Sequence, residues 1–210
     1  MRLSFKDILI KCLDDPLYFI NRFTGLLRGT FYILYYGLFS RNVKIGFPFM
    51  VNAKVTIAGP GRVIIGKNCA VFENVFRGLS IATFSRNAAV VIGNGCALGG
   101  ITIRCYTRVE IGDRTMTAVS LIQDYFIDPD KVVPREGHHI PKPEPIVLGK
   151  NVWLGADSLV LGGSMIGNDS VLSAGSCTIG GTYRDYGLIM GNPAHKSLPI
   201  DKLLKLKRGI

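Results

Sequence analysis

From Leu148 onward a large aliphatic residue recurs at every sixth position: Leu148, Leu154, Val160, Ile166 and Leu172, with Thr178 closing the series. The residue after each is small at Gly149, Gly155, Gly167 and Ser173, Leu161 being the exception, and the place four after each holds Val152, Ser158, Ser164, Ser170 and Ser176. A helix repeats its apolar stripe at about 3.6 residues and a half-buried strand at about 2, so neither explains this register. One large inward side chain, one small one and a turn describe a short flat strand ending in a sharp corner. Three such flats, about eighteen residues, close a triangular coil, and stacked coils align their aliphatics into the core of a solenoid. The same unit returns, broken by insertions, at 65–70 (IGKNCA), 92–97 (IGNGCA) and 111–116 (IGDRTM). The pattern predicts an all-β fold, a parallel β-helix, in which Cys69 and Cys96 fill the small inward place and are not nucleophiles.

The repeat divides the chain into three stretches. Residues 1–42 read as an N-terminal helical segment, with Pro16 suited to a first helical turn after Asp14 and Asp15. Leu17 to Phe39 is markedly apolar, but Asn21, Arg22 and Arg28 interrupt it, and the run Phe31 to Phe39 is half of what a bilayer crossing needs. Such helices lie on something: either an anionic membrane surface, as a peripheral contact of a basic amphipathic segment, or the open end of the solenoid. Lys6 and Lys11 within the first apolar run, and no small-residue cleavage site, argue against a secretory signal. Residues 43–195 form the β-helix domain, interrupted by a projecting loop at 123–145, and residues 196–210 read as a short basic C-terminal helix with Asp201 as N-cap.

Composition narrows this picture rather than changing it. A chain of 210 residues, 48% hydrophobic and 19% charged, can bury a full core, and its 25 glycines suit many tight turns. The net charge of +10 suits an anionic partner, but no paired zinc ligands and no base-stacking aromatic motif accompany it, so nucleic acid is not expected. Cys12, Cys69, Cys96, Cys105 and Cys177 contain no CxxC pair, which indicates neither a zinc site nor a disulfide framework and fits a reducing compartment.

The loop 123–145 (QDYFIDPDKVVPREGHHIPKPEP) is polar, proline-rich and too long for a corner, so it must project; it carries His138 and His139, two of the three histidines. Together with the six-residue rule, which covers about Ile45 to Pro199, these features resemble the hexapeptide-repeat acyltransferase superfamily, of the sugar and polysaccharide O-acetyltransferase type typified by maltose, galactoside and capsule acetyltransferases. The resemblance implies a left-handed parallel β-helix, a homotrimer with active sites between neighbouring helices, and acetyl-coenzyme A as donor. It also implies a loop histidine as general base, often within Asp-x-His-x-Ile; Glu136, Gly137, His138, His139 and Ile140 match with Glu for Asp, making His138 the first choice and His139 the alternative. A rival register sets Ile122, Gln123, Asp124 and Tyr125 against the Ser-His-Asp-Tyr run of some relatives, with glutamine where they have histidine. The plainer reading of His138 and His139 is a solvated surface pair.

By motif position the resemblance assigns Trp153, the only tryptophan, to the reactive end of the cofactor, though a lone tryptophan can equally cover core or interface. Ala156 and Ala174 match residues whose backbone meets pantetheine, and Ile179 with Gly180 match the stretch further along; the repeat's own demand for small residues is the alternative, for Ala174 especially. Gly191, Asn192, Pro193 and Ala194 match a GNPA marker that relatives follow with a cation near the cofactor's phosphates, whereas this chain has His195 there and Lys196 one later. The expected function is acetyl transfer to a sugar hydroxyl of a surface polysaccharide or its precursor. The alternatives are N-acetylation of a nucleotide-linked amino sugar and a scaffold without activity. A zinc hydratase on the same helix is disfavoured because His138 and His139 are adjacent instead of spread over coils, and no metal is expected. The expected location is cytoplasmic, at the inner face of the membrane if the first segment meets lipid.

Overall fold

Valine, isoleucine and leucine at the inward places, with glycine, asparagine or aspartate between them, give strands of two to six residues separated by tight corners. The computed structural model describes residues 16–73, 77–127 and 141–199. They form one helix, Pro16–Phe39, followed by a three-walled parallel β-solenoid. The first wall has seven strands from Val43–Ile45 to Thr182–Tyr183, the second eight from Phe49–Val51 to Ala194–Pro199, and the third six from Val55–Ala58 to Cys177–Ile179.

Each wall aligns one column of inward side chains. In the first, Ile65, Ile92, Ile111, Leu148 and Ile166 stand in register; in the second, Val71, Leu98, Thr117, Leu154, Leu172 and Ile189; in the third, Ile81, Ile103, Ile122, Val160 and Thr178. The six-residue series from Leu148 to Thr178 is therefore two passes around the three walls. Ser158, Ser164, Ser170 and Ser176 are buried at the corners, as their size requires. Cys69 and Cys96 are buried free thiols whose sulfurs lie 3.2 Å from the Gly93 carbonyl and 3.3 Å from that of Gly112, so they fill the core.

The corner between the first and second walls is held by side chains that stand in for the next coil's backbone. The Lys67 amide donates to Asn94 Oδ1 (2.9 Å), the Asn94 amide to Asp113 Oδ1 (2.7 Å), and the Asn168 amide to Asp185 Oδ1 (2.6 Å). The Asn94 amide holds the Asp113 carboxyl below its ordinary range.

The helix Pro16–Phe39 covers the open end of the first coil. Its Gly25, Gly29 and Tyr36 are buried against the strand Phe49–Val51 and its neighbours, and the Tyr36 hydroxyl accepts the Ile57 amide (2.9 Å) at the edge of the third wall. The other end is closed by the strand Ala194–Pro199, antiparallel to Gly187–Gly191, so the first four residues of the segment 196–210 are extended. This strand covers the last edge of the second wall, whose open backbone groups outweigh a local preference for helix. Residues 200–210, with the expected cap Asp201, lie outside the described residues.

Candidate functional site

The long excursion leaves the third wall after Leu121–Gln123, and the sequence folds that way because Asp124 turns inward. Its carboxylate is 0% exposed. It accepts the backbone amides of Tyr106 (2.6 Å), Thr107 (2.6 Å) and Arg108 (2.9 Å) and the Thr107 hydroxyl (2.9 Å), binding the exit of one coil to the corner of the preceding one. The excursion then starts as a two-stranded stem in which Tyr125–Ile127 pairs antiparallel with Pro141–Pro143. Gln123, the glutamine of the rival register, donates to the Tyr125 carbonyl (2.9 Å) and so helps to set the stem. Phe84, Tyr106 and Tyr125 stack up the same edge with ring centroids 5.7 to 6.4 Å apart. His138 and His139, the sequence candidates for the base, fall between the two stem strands in sequence and lie outside the described residues.

At the other end of the same wall, a cavity of about 400 Å³ opens between Arg77, Arg104, Val119, Ser120, Asp157 and Ser158. The Ser120 and Ser158 hydroxyls pair at 3.1 Å on its floor. Val119 turns this corner at φ 45°, a left-handed conformation that β-branched residues avoid, where the preceding coil uses Gly100 at φ 62°. Strained backbone beside a polar cavity is the kind of feature that accompanies ligand sites. The arginines and the strained valine were not singled out from sequence, because they come from three coils and meet only when these stack. Behind the wall, burial and the neighbouring Asp124 push the Cys105 thiol up to about 12, so it stays protonated at neutral pH and is no nucleophile.

Two of the residues assigned to the cofactor, Ala156 and Ala174, are brought into one line with Gly191. Leu154, Leu172 and Ile189 are in register on the second wall, so Ala156, Ala174 and Gly191, each two residues on, follow one another along the corner toward the third wall. Ala156 and Ala174 are exposed there. Gly175 and Gly181 have φ of 68° and 84°, and a Cβ at either would meet nothing within 4 Å, leaving backbone open to an extended ligand bearing amides. Ile179 is exposed at the end of the third wall, with Gly180 next at φ 65°. Trp153 faces outward from the second wall, 54% exposed, in register with Met116 and Val171. His195 and Lys196 lie in the antiparallel strand that ends this wall, Lys196 opposite Met190. Among the described residues no group of three His, Cys, Asp or Glu is placed to hold a metal ion.

No family model matches the chain, and no curated protein matches it. Solved structures do. A point mutant of AntD, an N-acyltransferase from Bacillus cereus, in complex with dTDP and coenzyme A superposes with a TM-score of 0.59 at 16% identity over 84% of this chain and 94% of that one. The chain has the hexapeptide-repeat β-helix fold. AntD with dTDP and 3-hydroxybutyryl-CoA gives a TM-score of 0.50 at 17% identity, covering 82% of this β-helix chain and 92% of that one. A hexapeptide-repeat acetyltransferase from Vibrio cholerae, VCA0836 with acetyl coenzyme A, gives 0.49 at 21% identity over 64% and 68%.

Proposed function

We propose that this protein is an acetyl-coenzyme A dependent acyltransferase that moves the acetyl group to a hydroxyl of a surface polysaccharide sugar or of its precursor. The observation that carries the reading is the presence on one wall of a two-stranded stem, rooted by buried Asp124, and, at the wall's other end, a polar cavity beside a corner lined by exposed Ala156 and Ala174. In this reading His138, or His139 next to it, takes the hydroxyl proton as the oxygen attacks the thioester carbonyl. A backbone amide or polar donor of the site holds the resulting oxyanion, and collapse expels the coenzyme A thiolate, which recovers the proton from the imidazolium. The extended donor lies along the corner of Ala156 and Ala174 toward Ile179 and Gly180, with the phosphates near His195 and Lys196. Three copies of the chain complete the groove, each lending its loop to a neighbour.

A second reading, acylation of an amino sugar carried on a nucleotide, is favoured by Arg77 and Arg104 at the cavity, since two guanidinium groups suit a diphosphate. A fold relative, a mutant of the N-acyltransferase AntD, is in complex with dTDP-4-amino-4,6-dideoxyglucose and coenzyme A. Thiol release from acetyl-coenzyme A, measured with a panel of hydroxyl and amine acceptors, separates the two. Replacing both His138 and His139 by Ala is expected to lower the turnover of the preferred acceptor by roughly 10²- to 10⁴-fold. Unchanged turnover removes the histidines from the chemistry, and wild type silent with every acceptor favours a scaffold.

A further inference from the structure

The helix Pro16–Phe39 has two faces, and only one is used by the solenoid. Gly25, Gly29 and Tyr36 are buried beneath it. On the opposite side Ile20, Phe23, Leu27, Phe31, Leu34 and Leu38 follow one another at spacings of three and four residues, each more than half exposed. That spacing makes a single stripe from Ile20 to Leu38, about 27 Å along the 24-residue helix. Among the described residues from Pro16 to Phe72 the charge has one sign. Between Pro16 and Phe72 there is no Asp or Glu, while Arg22, Arg28, Arg41, Lys44, Lys54, Arg62 and Lys67 are all exposed.

We propose that this outward stripe docks on an anionic lipid bilayer, with the helix lying flat in the interface and the solenoid standing behind it. The helix cannot stand across the membrane: among the described residues no helix is long and apolar enough. Its inner face is also held to the first coil, where a side chain at Gly29 would fall on the Phe49 carbonyl and where the Tyr36 hydroxyl takes up the Ile57 amide. A helix fixed in this way presents its apolar side in one plane, which is the geometry of a monotopic anchor. Charge selects lipid over a second copy of the chain. Two copies pairing stripe to stripe would bring together two sets of like-charged arginines and lysines, whereas anionic headgroups neutralise them. This inference is independent of the acyltransferase reading.

The test is sedimentation of the full chain with phosphatidylcholine vesicles, with and without phosphatidylglycerol. Binding is expected to be at least tenfold tighter to the anionic vesicles, to weaken as salt is raised, and to fall by roughly a hundredfold in the double variant Leu27→Glu, Leu34→Glu. Both leucines point away from the solenoid, so that variant is expected to keep the wild-type melting temperature. Arg41→Ala with Lys44→Ala should lose the preference for anionic lipid while keeping part of the binding. Equal sedimentation of wild type and the glutamate variant overturns the proposal. So does a wild type that ignores vesicles but forms a dimer that the glutamate variant does not.

Discussion

At the scale of single residues, two buried polar groups have opposite standing. Asp124 is fully enclosed and satisfied by three consecutive backbone amides and the Thr107 hydroxyl, so removing its carboxylate leaves donors of the Tyr106–Arg108 corner without a partner. Asp124→Ala is expected to cost about 3 kcal/mol or more in chemical denaturation, since each orphaned buried donor costs about 1 kcal/mol or more. Asp124→Asn, which keeps one accepting oxygen, should fall between it and wild type; an alanine variant as stable as wild type would mean that water replaces the carboxylate. Thr178 is the reverse case. It closes the third-wall column under Val160, is buried, and its hydroxyl finds no partner among the described residues. Thr178→Val keeps the shape and removes the orphan, so it is expected to stabilise the fold by about 1 kcal/mol, read as a raised melting temperature.

At the scale of elements, the helix Pro16–Phe39 supplies a matched pair of substitutions whose signs differ for a stated reason. Alanine is favoured over glycine inside a helix by about 1 kcal/mol. At Gly37 an added Cβ meets nothing within 4 Å, so Gly37→Ala should raise thermal stability by up to that amount. At Gly29 the added Cβ would fall on the backbone carbonyl of Phe49, so Gly29→Ala must lift the helix from the first coil and lower the melting temperature in spite of the better propensity. The walls were legible in the sequence because a series such as Leu148, Leu154 and Val160, one residue on each wall, repeats a rule every six residues, and repetition separates a packing demand from chance. The C-terminal strand was not, because Ala194–Pro199 is set by the exposed edge of Gly187–Gly191 and not by any local period. The structural role of Asp124 was not legible for a related reason: its partners stand 16 to 18 residues away and become neighbours only when coils stack. Motif resemblance singled out Ala156, Ala174 and Gly191 one by one, and only the register of the coils sets them along one corner.

At the scale of the whole molecule, the outer surface of the solenoid bears on how many copies assemble. Met116 and Trp153 stand side by side on the outside of the second wall, 51% and 54% exposed, and Ile179 on the third wall is 57% exposed, a distribution that leaves apolar area for a neighbour. If the groove for the donor is shared between protomers, the protein should sediment with three times the chain mass of 22.9 kDa, and dilution to the monomer should abolish thiol release together with the assembly. The single tryptophan makes the same point spectroscopically. In a lone protomer Trp153 is half in water and should emit accordingly. Packing of the second wall against a neighbour should shift its emission to the blue, and addition of coenzyme A should change that emission again if the ring borders the groove. A trimer whose Trp153 emission ignores coenzyme A would keep the assembly and remove this residue from the site. An active monomer would remove the shared groove itself, and with it the reason for Ala156 and Ala174 to be left uncovered along one corner.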